Sequence, residues 1–135
     1  MNKKLRPLEE AIYMYERAKS QKLMGFERLS NYELTRKVCN GIGAAWMPEW
    51  ARTLVSNLAP SIVPTSWIHD LDYEDGGGIW KRWCDDWRFL CNGIRGSIYD
   101  YKWYRLRRYY SIWQAVRLWR ALRLFGQPAY NWRMR

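Results

Sequence analysis

Three consecutive glycines, Gly76-Gly77-Gly78, stand between two segments patterned as helices. Glycine in a helix interior costs about 1 kcal/mol per residue relative to alanine, so three in a row end a helix. The segment before them carries His69, with Thr65 or Ser66 placed to cap it. The segment after them reads as a helix from about Ile79 to Cys91 or Asn92, broken at Asn92-Gly93. A link this short lets the second helix fold back antiparallel to the first, so any chemistry is expected where the two face each other.

The remainder also reads as helix. Pro7 suits the first turn of a helix over Leu8–Leu23, and Ser30 or Asn31 caps a shorter one through Val38. Cys39–Pro48 is a glycine-bearing loop, Glu49–Leu58 a short helix, and Ala59–Pro64 a proline-bounded connection. A long last helix is expected over Tyr99–Phe125, stopped at Gly126 with Pro128 beyond. No long alternating stretch argues for strands. The 135 residues suggest one domain, 1–135, mainly α-helical.

Charge is unevenly placed within a net +10. Residues 68–100 hold four basic and seven acidic side chains, whereas 101–135 hold nine basic and none acidic. A wholly basic end suits an anionic partner. Three cysteines, Cys39, Cys84 and Cys91, make no disulfide framework and fit a reducing setting. Glu9 and Glu10 come too early for a signal peptide, and the longest uncharged run, Thr53–His69, is broken by Pro60 and Pro64, so no transmembrane segment is expected.

His69 is the only histidine. On a helix it shares a face with Tyr73, while Asp70 lies about 100° around the axis, free to serve a neighbouring site. That permits the imidazole to act on a water and the carboxylate on a metal. Asp85 and Asp86 lie on the returning helix, where one of them can hold the imidazole. A carboxylate bound to Nδ1–H would leave Nε2 as the base. Upstream, Cys39-Asn40-Gly41-Ile42-Gly43 is a short glycine loop whose carbonyls suit a hard cation.

His69-Asp70-x-x-Tyr73 resembles the His-Asp-x-x-Tyr core of phospholipase A2 enzymes, and Asn40-Gly41-x-Gly43 resembles their calcium loop. Asp86-x-x-Phe89-Leu90 is similar to the second helix of the compact phospholipase A2-like proteins of phages and other viruses. The resemblance spans roughly residues 39–92. It implies an antiparallel helix pair within a core of 39–98, with helical additions at both ends, and calcium-dependent hydrolysis of a phospholipid ester. It also implies roles: His69 as general base, Asp86 orienting it with Asp85 as the alternative, and Tyr73 bonded to that aspartate. Asp70 and the carbonyls of Cys39, Gly41 and Gly43 would hold Ca2+, and the Gly41 N–H would stabilise the oxyanion. The setting implied is a virion or the host cytoplasm.

The chain departs from the secreted enzymes in lacking their disulfides, in carrying Ala44-Ala45 after the loop, and in a longer stretch between Gly43 and His69. Asp70, Asp72, Glu74 and Asp75 do not match an EF-hand, because its glycine position holds Asp75 and its last ligand position Lys81. Asp72, Glu74 and Asp75 read as a solvated acidic rim or a secondary cation site.

The basic helix expected over 99–125 interleaves aromatics with Arg105, Arg108, Arg117, Arg120 and Arg123. With Trp113 and Trp119 it suits an anionic membrane surface. Packing on the domain core, contact with other virion proteins and binding of nucleic acid are the competing readings. The alternative to an enzyme is a virion structural protein that keeps the helix pair without its chemistry.

Overall fold

The computed structural model describes residues 5–39 and 57–132. Among them lie five α-helices and no strand: α1 (Leu8–Ser20), α2 (Tyr32–Val38), α3 (Val63–Asp75), α4 (Ile79–Asp100) and α5 (Leu106–Phe125). Short 3-10 helices cover Phe26–Ser30, Pro60–Ile62 and Gln127–Ala129. The mainly helical class expected from the sequence is what the structure has.

α3 is the central helix. Pro64–His69 and Leu71–Tyr73 are all buried, so α3 is covered over most of its surface. On one side Trp67, Ile68 and Leu71 pack with Ala11, Ala18, Leu23 and Leu29 from the N-terminal helices. On the other, α4 and α5 close around a second cluster of Ala59, Ile62, Phe89, Leu90 and Ala115. α4 runs antiparallel to α3, since Tyr73 meets Arg82 while Asp72 meets Arg88. α5 turns back along α4, with Arg82 near Leu122 and Ser97 against Ser111.

The turn between α3 and α4 falls at the three glycines. Gly76 has φ 66°, and a Cβ there would lie 1.7 Å from the Asn131 carbonyl oxygen. Only glycine allows the C-terminal segment to seat against this turn, where the Gly77 N–H donates to Asn131 O at 3.1 Å.

Several boundaries differ from expectation, each for a packing reason. α1 ends at Ser20 rather than Leu23, because the chain turns at Lys22 (φ 56°) to bury Leu23. α3 begins at Val63, so Thr65 and Ser66 lie inside it rather than capping it. Pro64 sits in its first turn, and the Ala59–Pro64 connection is largely helical. α4 does not break at Asn92-Gly93 but continues to Asp100. There the Asn92 side chain bonds both Met24 N and Met24 O at 2.9 Å, and Gly93 lets α5 approach. The last helix therefore starts at Leu106, not Tyr99. The helix expected at Glu49–Leu58 lies outside the described residues apart from its last two.

No helix among the described residues is long and apolar enough to cross a membrane.

Candidate active site

Asp86 lies at the centre of the site and is fully buried. Its Oδ1 is 2.8 Å from His69 Nε2 and accepts the Tyr73 hydroxyl at 2.6 Å. These contacts follow from helix geometry: His69 and Tyr73 are one turn apart on α3, and both point at a single position of α4. The two rings also pack at a tilt of 43°, with centroids 4.1 Å apart, and Phe89 packs edge-on to His69 at 5.2 Å.

The ring nitrogen that meets the carboxylate differs from expectation. It is Nε2, not Nδ1, because Asp86 lies across the helix interface from α3, within reach of the outer end of the imidazole. Nδ1 is then the nitrogen left to act on a water. Between the two aspartates on α4, Asp86 meets the imidazole. Asp85 bonds the Lys81 ammonium at 2.8 and 2.9 Å, one turn back on its own helix.

The other oxygen of Asp86 faces cations. Arg123 of α5 donates to Oδ2 at 2.7 Å, and Arg82 Nε stands 3.8 Å from the same atom. Arg82 also donates to Tyr73 Oη at 3.2 Å and to the Leu122 carbonyl at 2.5 Å. Burial works to raise the Asp86 pKa, but the bonds from His69, Tyr73 and Arg123 outweigh it and hold the carboxyl below its ordinary range. For Asp85 burial prevails over the Lys81 bond and pushes the pKa up. Burial, then the bond to Asp86, raises the Tyr73 phenol.

The C-terminal segment closes the back of this network. A Cβ on Gly126 would stand 2.9 Å from Tyr73 Oη, and the Tyr130 ring packs edge-on to Tyr73 at 4.9 Å. The i,i+4 spacing on α4 is a sequence signal for Arg82 beside Asp86, but no pattern marked Arg123 as its partner. Arg123 is 37 positions from it, and an arginine spacing on one helix says nothing about which of them turns inward.

Asp70 is half-buried on α3. A carboxylate is the oxygen donor that a calcium ion takes. Cys39 is anchored to the His69 helix through Sγ, which donates to Trp67 O at 3.2 Å. Its carbonyl accepts Arg6 Nε at 3.3 Å, which brings positive charge to an atom expected to face a cation. Of the expected calcium ligands, Asp70 and Cys39 lie among the described residues; Gly41 and Gly43 lie outside them.

Asp72 is not part of a solvated rim. It is 1% exposed and bonded by both Arg28 and Arg88, the latter also through Nε at 3.2 Å; Arg28 reaches Asp75 as well. This cluster ties the Phe26–Ser30 turn, α3 and α4 together.

The basic helix divides its arginines. Arg123 is engaged at Asp86, and Arg108 donates to the Ile98 carbonyl at 2.9 Å. Arg117 lies over the Trp113 ring at 4.7 Å and Arg105 over Tyr104 at 5.8 Å, all four exposed, as is Arg120. Trp119 packs against the second core cluster and edge-on to Trp87 at 6.1 Å. α4 adds exposed Trp80, Trp83 and Trp87, the last two stacked at 5.5 Å.

No family model, no curated protein and no solved structure matches this chain.

Proposed function

We propose that the chain is a calcium-dependent phospholipase A2-like hydrolase that cleaves a phospholipid ester at a membrane surface. The observation that carries this reading is the chain's one imidazole held through Nε2 by a fully buried carboxylate, with Tyr73 on the same oxygen. Such a carboxylate fixes the tautomer and leaves Nδ1 to take a proton from water as the water attacks the ester carbonyl carbon. The proton then passes to the departing alcohol. Asp70, with carbonyls of the 41–43 loop, would hold Ca2+, which supplies positive charge where the oxyanion develops. The Gly41 N–H would donate to the same oxygen.

The exposed tryptophans of α4 and the exposed arginines and aromatics of α5 support docking on an anionic lipid surface. Resemblance to the compact viral proteins makes a virion or the host cytoplasm the proposed setting.

The test is fatty-acid release from anionic phospholipid vesicles, with calcium and with chelator, using lipids whose two acyl chains differ. Release of the sn-2 chain that needs calcium and is lost in Asp70→Asn supports the reading. Release indifferent to chelator contradicts the calcium role. The same exposed aromatics also favour a second reading, a virion assembly protein without activity, which predicts no release at all from folded protein.

A further inference from the structure

We propose that Arg123 is a positioning residue for the His69–Asp86 pair, so that α5 belongs to the catalytic unit rather than serving only as a surface-binding addition. The claim rests on the site assignment above but reaches beyond the residues of the resemblance, which ends near position 92.

A carboxylate with no solvent exposure needs its charge compensated and both oxygens engaged. His69 and Tyr73 share Oδ1, and neither brings a formal positive charge when the imidazole serves as a base. Among the described residues, Arg123 alone donates at short range to Oδ2, at 2.7 Å. Arg82, at 3.8 Å, is instead committed to Tyr73 Oη and to the carbonyl at the end of α5. Rotation of the Asp86 carboxylate about its Cβ–Cγ bond would swing Oδ1 away from both His69 and Tyr73. The guanidinium on Oδ2 opposes that rotation. The local fold is built to bring it there: Gly126 admits the end of α5 against Tyr73, and Arg82 ties down the last carbonyls of the helix. Arg123 acts through Asp86 and touches neither water nor ester.

Because His69 is the only histidine, its ring N–H gives a single proton–nitrogen signal whose position reports the bond to Asp86. The experiment compares wild type, Arg123→Lys and Arg123→Gln as full-length chains. NMR reads the ring signal, circular dichroism the fold, and sedimentation with anionic vesicles the lipid affinity. Turnover on a dispersed short-chain phospholipid separates kcat from KM.

The expected result is a ring proton that loses its downfield position in Arg123→Gln and keeps part of the shift in Arg123→Lys. kcat falls by up to about 100-fold in the glutamine variant, with KM and vesicle affinity little changed. Two results overturn the proposal. One is an unmoved ring signal with weakened vesicle binding, which makes Arg123 a surface anion contact. The other is loss of the signal only through global unfolding in both variants, which makes it a stability residue. If wild type shows no turnover, the hydrolase reading fails while the ring signal still decides the positioning claim.

Discussion

Gly93 of α4 and Ala115 of α5 approach so closely that a Cβ built on the glycine would lie 2.8 Å from the alanine Cβ. That contact sets how near the basic helix comes to α4, and with it whether Arg123 reaches Asp86.

Gly93→Ala should therefore destabilise the protein despite the better helix propensity of alanine. The gain of about 1 kcal/mol from propensity is outweighed by overpacking of about 1–3 kcal/mol. Thermal unfolding should show a lower midpoint, and Ala115→Gly should restore part of it by removing the opposing methyl.

The two adjacent aspartates should behave differently. Asp86→Asn leaves Arg123 and Arg82 facing a neutral amide in a buried site, at a cost of about 3 kcal/mol, and should abolish hydrolysis. Asp85→Asn loses an ion pair with a Lys81 that is 45% exposed, worth at most about 1 kcal/mol, and should retain turnover. Equal loss in both variants contradicts the assignment.

The acid dependence follows from the depressed Asp86 pKa. Its stabilising contribution is present above the unfolded carboxyl pKa of about 4 and is lost as pH falls through the lower folded value. Urea unfolding of wild type and Asp86→Asn should show a gap that is constant near neutrality and narrows below about pH 4.

Asn92→Ala tests why α4 runs on past its expected break. It would leave the Met24 N–H and carbonyl without their partner, at about 1–3 kcal/mol. Hydrogen exchange at the Met24 amide should accelerate most.

These contrasts also show what the sequence makes legible. The helical class, the glycine turn and the facing of His69 and Tyr73 rest on periodicity and local propensity, and the helices follow them. The continuity of α4 does not, because Asn92 and Gly93 are helix breakers in isolation and become assets only with Met24 and Ala115 beside them. Asp72 sat in an acidic run whose local spacing favours solvent, yet Arg28 and Arg88 arrive from distant positions to bury it. Arg123 kept its place in the spacing of the basic helix, but tertiary packing turned it inward while Arg117 and Arg120 stayed outside. The choice of Nε2 over Nδ1 depends on where Asp86 lies across the helix interface, which no one-dimensional pattern carries.

The most direct test of the hydrolase account is fatty-acid release from calcium-supplied anionic phospholipid vesicles by wild type and His69→Ala. The account predicts release by wild type and none above background by the folded variant. Release of equal size from both proteins, or none from folded wild type, would contradict it.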